Sequence, residues 1–417
     1  VFTEGQYPRI KGLDQSQAAL YSASARVMNA TSSINKLTAN AVFNAMGNTD
    51  FGYLRNGQIV KQGYYSNVVG DSIILNDTYT VGTDTLFIVN GRAQYHYFVN
   101  VAPVPFDGEG TQENPFLIRT KSDLIQLSKI TTANKQTFPG TYFRMTNDID
   151  LEYSEDFLGI MCDGSTTAFA GSFDGNGYAI HRMRISQLVW SKEPTASSMG
   201  TVSTTGLKSY QGFIGRLAEG GTVSNLTIAA DCQFTFHGFS GAVVGYNFGR
   251  IENCRNYADI TTYTGTYVGG ICGYNNNAVT AIIDNCFNAG NITSARYGVG
   301  GITGVNYNMV SNCVNTGDIT AKVMVTNYNS SANYLVGGIS GSMNGRLENC
   351  VNYGTVTADN RVGGLSGSIS SWPSGSYHND VVNCMSFGIV YVTDAARTGA
   401  LGGATGSTGD ISNNYWD

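Results

Sequence analysis

The side chains of this 417-residue chain that could do chemistry are few, and their spacing decides what they can do. Hydrolysis of a glycosidic bond needs two carboxylates about 5–9.5 Å apart. The acids that could supply them are Asp148, Asp150 and Asp174, in Asn147-Asp-Ile-Asp150 and Phe173-Asp-Gly-Asn-Gly177. Short acids in such phrases typically accept hydrogen bonds from turn amides, so the expected role of these three is structural. Asp174 and Asn176 could offer oxygens to calcium, but the chain has no Asp-x-Asp-x-Asp-Gly run. The four histidines, His96, His181, His237 and His378, have no acid at motif spacing. Gly364 to Ser368 matches a nucleophile phrase only loosely, and 52 glycines make chance matches common. The expectation is therefore a chain that is not an enzyme, with no catalytic, cofactor-binding or metal-binding residue and no cofactor.

Two residue types remain. Five of the eight cysteines, Cys254, Cys286, Cys313, Cys350 and Cys384, recur at separations of 32, 27, 37 and 34 residues. No CxxC or Cys/His cluster accompanies them, which argues against zinc. On adjacent parallel strands their Cβ vectors would run side by side, a poor geometry for a disulfide. Free buried thiols acting as small hydrophobes are expected. The second type is aromatic: Tyr263, Tyr267, Tyr297, Tyr307, Tyr328, Tyr334 and Trp372, with Phe234 and Phe236. Stacked coils would array these along one side. They either pack loop edges over the core or form a glycan- or protein-binding face, since aromatics dominate such surfaces.

The elements that must position these residues repeat. Ile251-Glu-Asn253-Cys254, Ile283-Asp-Asn285-Cys286, Val310-Ser-Asn312-Cys313, Leu347-Glu-Asn349-Cys350 and Val381-Val-Asn383-Cys384 say the same thing. Between them runs a glycine phrase: Val268 to Gly273, Val299 to Gly304, Val336 to Gly341, Val362 to Gly367 and Leu401 to Gly406, with fainter copies at Gly212 to Gly215 and Gly241 to Gly245. A period of about 30 residues marks a solenoid, in which each repeat buries its apolar side only by stacking on neighbours. Three short strands per repeat are expected, with strand alternation sending Ile283 and Asn285 to one face. Like residues then sit above like, about 4.8 Å apart. The cysteines form one column, and Asn253, Asn285, Asn312, Asn349 and Asn383 form another, their amides bonding along the stack. The double glycines permit bends or contacts that a Cβ would block. Irregular spacing places longer loops near 323–333 and 370–380.

Length points to two domains. A net charge of −6 and the lack of any basic run exclude a nucleic-acid surface, and no apolar stretch approaches the ~18 residues of a membrane span. Residues 14–103 alternate short strands with turn signals, clearest in Leu86 to Val99 around Asn90-Gly91, and suggest a small immunoglobulin-like β-sandwich. Residues 104–115 read as a linker, stiffened at its start by Pro103 and Pro105. The β-helix is expected over 116–417, opened by an amphipathic helix near Thr120 to Ile130 that covers its end. Residues 1–13 read as the closing strand of a preceding repeat domain.

The order Gly-Thr-Gln-Glu-Asn-Pro-Phe-Leu-Ile, helix, Tyr-Phe-Arg-Met-Thr-Asn-Asp-Ile-Asp-Leu, Phe-Asp-Gly-Asn-Gly and repeated Gly-Gly-Ile-x-Gly resembles the GLUG-motif proteins over about Gly108 to Asp417. The family's four-residue phrase corresponds to Gly270–Gly273, Gly301–Gly304, Gly338–Gly341 and Gly364–Gly367. The resemblance implies an all-β, right-handed parallel β-helix beside immunoglobulin-like modules, on secreted or outer-surface proteins of Bacteroidetes-like bacteria. It supplies no catalytic residue. The implied role is a stalk or adhesive rod whose partners are other surface proteins, glycans and neighbouring domains of a longer chain. The alternatives are a carbohydrate-binding or carbohydrate-degrading β-helix and a subunit of a surface filament.

Overall fold

The computed structural model divides into two compact units, Val1–Pro105 and Phe106–Asp417. In the first it describes the backbone of strands between 26 and 102. In the second it describes 106–416 apart from 134, 163, 187–188, 193–200, 204–208, 264–265, 296–297, 323–334, 360, 371–378, 393–397, 400, 404 and 407–408. The expected closing strand at 1–13 lies outside the described residues.

The strands of the first unit form a five-stranded sheet and a three-stranded one. Gly82–Asn90 and Ala93–Ala102 pair antiparallel, with Asn90 opposite Ala93. Arg26–Thr31 adds to Ala93–Ala102 in parallel, and the three-stranded sheet is antiparallel throughout.

The second unit is a parallel β-helix. Its five principal sheets contain ten, nine, seven, seven and seven strands, and consecutive members of each come from consecutive repeats. One coil shows the pattern: Arg250–Glu252, Arg255–Asn256, Ile260–Thr262, Tyr267–Gly269 and Cys272–Asn275. The repeat thus has five strands, where three were expected, because each of its two sequence phrases contains a corner. Asn253 has φ 57°, and its equivalents Asn285, Asn312, Asn349 and Asn383 have φ 51–55°. This left-handed conformation suits asparagine better than any residue except glycine. It also resets the strand alternation. Ile283 points inward and Asn285 outward, so Cys286 turns back into the core. The expectation that Ile283 and Asn285 share a face is overturned by this corner.

The glycine phrase makes the second corner. A Cβ on Gly270 would stand 2.3 Å from the Asn288 side-chain carbon, and one on Gly301 equally close to that of Asn315. These glycines are needed because a buried amide of the adjacent coil occupies that space.

Like residues stack along the axis. On the largest sheet the inward column runs Phe116, Phe143, Phe173, Val223, Ile251, Ile283, Val310, Leu347, Val381 and Ile411. All but Ile411 are buried, and each such side chain contributes about 1.5–3 kcal/mol through removal from water. Ten strands at that spacing make a ladder about 43 Å long.

Aromatic rings fill the N-terminal end. Phe106, the first residue of this unit, packs 5.9 Å from Phe116 and 5.8 Å from Phe143, so the stretch read as linker belongs to the β-helix from Phe106 onward. The helix α1, Lys121–Ala133, follows the first strand. Thr120 caps it. The Asp123 amide donates to Thr120 Oγ1 (3.2 Å) and the Thr120 amide to Asp123 Oδ2 (2.9 Å), a reciprocal capping box. Leu124, Leu127, Ser128 and Thr131 face inward. Ser128 donates to the Gly159 carbonyl (2.7 Å), next to Ile160, which bridges to Ile214 at the start of one sheet. The helix thereby covers that edge. No helix among the described residues is long and apolar enough to cross a membrane.

Candidate functional site

The acids of the first coils come first, since they alone offered catalysis. Asp148 Oδ1 accepts from the Ala179 amide (2.8 Å). Asp174 accepts from the Asn176 amide (2.8 Å), from Asn225 Nδ2 (2.9 Å) and from Arg144 Nε (3.0 Å). Asp150 accepts from the Glu152 amide (2.8 Å) and is clasped by the Arg182 guanidinium, which holds its carboxyl below the usual carboxylate range. His181 Nδ1 lies 3.1 Å from Asp231 Oδ2, a pairing across coils that no sequence spacing announced. Each of these acids ties a turn or neighbouring coils together. Among the described residues no group of three or more His, Cys, Asp or Glu could hold a metal ion.

The cysteines stack as a buried column of free thiols. Backbone amides of Cys286 and Cys350 donate to the sulfurs of Cys313 and Cys384, both at 3.4 Å. Burial pushes the Cys254 and Cys313 thiols up, and it takes Cys162 and Cys232, on earlier coils, up to about 12. A thiol so held is a poor nucleophile and a poor metal ligand.

The corner asparagines form an exposed ladder. Asn253 donates to Asn225 (2.9 Å), Asn285 to Asn253 (2.6 Å), Asn349 to Asn312 (3.1 Å) and Asn383 to Asn349 (3.3 Å). It breaks once, where Asn312 donates to Asp284 instead (2.8 Å). Two further ladders lie inside the coil and were missed from the sequence. Asn256, Asn288, Asn315 and Asn352 are fully buried, and each amide donates to the next at 2.8 Å. The second N–H of each amide goes to a turn carbonyl two residues on, at 2.9 Å. Asn247, Asn275 and Asn306 make the other ladder, at 2.8 and 2.9 Å.

The outward aromatic residues are what remain for recognition. Of the anticipated tyrosines, Tyr297, Tyr328 and Tyr334, with Trp372, lie outside the described residues. Tyr263 follows the Ile260–Thr262 strand and is half-buried. Tyr267 and Tyr307 enter a contiguous cluster through Tyr274, which lies 5.5 Å from the first and 5.4 Å from the second. The cluster extends through Phe239, Tyr246, Phe248 and Tyr210, with neighbouring centroids 4.5–5.8 Å apart. All seven rings are half-buried. They meet because two columns of three lie on neighbouring sheets: Tyr210, Phe239 and Tyr267 on one, and Arg216, Tyr246 and Tyr274 on the next. Tyr246 and Tyr274 each precede an inward asparagine, and that alternation was the available signal for their outward direction. Phe234 and Phe236, also anticipated here, both point into the core instead and stack on each other (4.9 Å).

The Tyr246 hydroxyl accepts from Asn276 Nδ2 (2.8 Å), and burial raises the pKa of both Tyr246 and Tyr274. These two phenols therefore keep their protons, and Arg216 is the cation beside them. Flat rings with a few hydroxyls can stack against the apolar faces of sugars or of other rings, and donate hydrogen bonds at their edges.

Fold and face together define a class, the parallel β-helices with an outward aromatic ribbon. No protein-family profile matches the chain. Over 152 residues it is 31% identical to a protein of Evansella cellulosilytica provisionally named a Gly-rich membrane protein. That match covers 35% of this chain and 15% of the relative, so the chain spans a small part of the relative's length. Among solved structures it is similar to a Bacteroides ovatus protein provisionally named an immunoglobulin A1 protease, at a TM-score of 0.49 and 19% identity. The alignment covers 75% of this chain and 87% of that one.

Proposed function

We propose that this chain is a non-enzymatic segment of a bacterial cell-surface protein, in which a GLUG-type β-helix acts as a stiff rod that presents an aromatic ligand face. The observation that carries the reading is the registered cluster of seven half-buried rings on the outside of a ladder whose hydrogen bonds all run along one axis. Such a scaffold holds its outward side chains at fixed spacing, so a ligand meets little disorder to be frozen out. The acids that could act on a sugar are engaged in turns and ion pairs, which favours binding over cleavage. The relative named as a glycine-rich membrane protein is compatible with a membrane-associated setting for this segment. The first unit is read as an immunoglobulin-like module that connects the rod to neighbouring domains of a longer chain.

The test has two arms. Full-length protein is applied to a glycan array, and bound glycans are then assayed for release of reducing ends. Binding without release, weakened about tenfold by Tyr274→Ala, is expected from the loss of one stacking ring at a site. Release of reducing ends would replace this reading with a carbohydrate-degrading one. Absence of binding by the wild-type chain would remove the ligand face.

A further inference from the structure

We infer that the aromatic face selects carboxylate-bearing saccharides and that Arg216 is the group that reads the carboxylate. The inference rests on the ligand-face reading above and names the chemistry of its ligand. Arg216 stands in register with Tyr246 on the neighbouring coil. Its guanidinium carbon lies 4.7 Å from the Phe248 ring centroid, 5.2 Å from that of Tyr246 and 5.6 Å from that of Tyr210. Three rings therefore hold one cation in place.

What they do not supply is a partner for its charge. Arg119, Arg144, Arg182, Arg250 and Arg346 each pair with a carboxylate. Among the described residues Arg216 has no such carboxylate, and its buried Nε has no hydrogen-bond partner there. A guanidinium has five N–H donors in a fixed fork that matches a carboxylate, and stacking on rings orients that fork without satisfying it. Leaving such a group in a half-buried, ring-lined position costs stability unless something binds there. The neighbouring rings offer the flat apolar contact that a pyranose face needs, within one coil of the cation. A hexuronate or a sialate satisfies both requirements at once: its ring lies on Tyr246 or Tyr274, and its carboxylate accepts from Arg216. A neutral sugar satisfies only the first.

The wild-type full-length chain is titrated with oligogalacturonate and with the same oligomer methyl-esterified, and in parallel with sialyllactose and with lactose. At least one acid is expected to bind about tenfold tighter than its neutral counterpart, from a charge-assisted bidentate contact. That preference should shrink as ionic strength rises. Arg216→Gln should abolish it while leaving the neutral counterpart's binding within about twofold, and Arg216→Lys should restore it only in part, because an ammonium lacks the planar fork. The two acids separate a plant-type uronate from a host-type sialate. Equal binding of acid and neutral forms by the wild-type chain, which needs no variant to fold, overturns the inference and leaves the aromatic face standing. An unchanged acid preference in Arg216→Gln, in protein with a wild-type melting point, overturns it too. If none of the four saccharides binds, this inference falls, while the ligand-face reading stands or falls with the glycan array.

Discussion

At the scale of single residues, asparagine does two different jobs within three positions. Asn285 turns a corner on the surface at φ 51°, and Asn288 carries a buried amide ladder. Substitution should separate them. Asn285→Gly keeps the corner accessible, whereas Asn285→Ala must adopt a left-handed backbone; the alanine variant should be less stable than the glycine one by about 1–2 kcal/mol in urea denaturation. Asn288→Ala leaves an N–H of Asn256 and the Oδ1 of Asn315 without partners in the core, which should cost about 2–5 kcal/mol by the same measurement. The thiols give a pH prediction with a definite sign. Cys162 and Cys232 have pKa values raised from 9.0 to about 12, so the folded state keeps its protons where the unfolded state loses them. Their stabilisation is complete below pH 9 and declines between pH 9 and about 12. The melting temperature should fall steadily from pH 9 upward, and a Cys162→Ala, Cys232→Ala double variant should fall less steeply. The recurring Asn-Cys pair was plain in the sequence. The inner ladder was not, because only the left-handed corner decides which of two asparagines three positions apart faces inward.

At the scale of the element, the five-stranded coil depends on glycines that make room for a neighbour. A Cβ on Gly301 would lie 2.3 Å from the Asn315 side chain and 2.3 Å from the Gly338 carbonyl oxygen. Gly301→Ala should therefore cost about 3 kcal/mol or more, since backbone and a ladder amide would both have to move. Gly140 is a useful contrast: it has φ +67° and nothing within 4 Å, so Gly140→Ala carries only the backbone term of about 1–2 kcal/mol. Thermal unfolding of the two variants side by side would show whether crowding or backbone conformation dominates. Sequence reasoning reached the glycine phrase and the bend, but not its cause. The obstacle, Asn315, is 14 positions away in the chain, and only stacking brings it against Gly301. The same holds for the aromatic cluster. Tyr267 and Tyr307 could be picked out, whereas Tyr210, Phe239 and Tyr274 become neighbours only when two sheets close on each other.

At the scale of the whole β-helix, interchangeable coils are the organising fact. Ile282 stacks on Met309, Ile283 on Val310 and Asp284 on Ser311, so removing residues 282–308 joins Ala281 to a residue that already occupies the equivalent place. The shortened chain should fold with its circular dichroism intact and a long axis reduced by about 4.8 Å in X-ray scattering. A deletion ending five residues earlier breaks the register and should yield an unfolded or aggregated product. The repeat length was legible from the sequence because the fold demands that each coil return to the same angular position.

Because the strands lie across the rod, tension applied at the two chain ends would pull one turn away from the next, without shearing many bonds at once. The turns should let go singly, each releasing about 30 residues and so some 100 Å of slack. A tether made this way yields in steps and spreads a sudden load over time, and a force–extension trace of the isolated chain should appear as a sawtooth with that spacing.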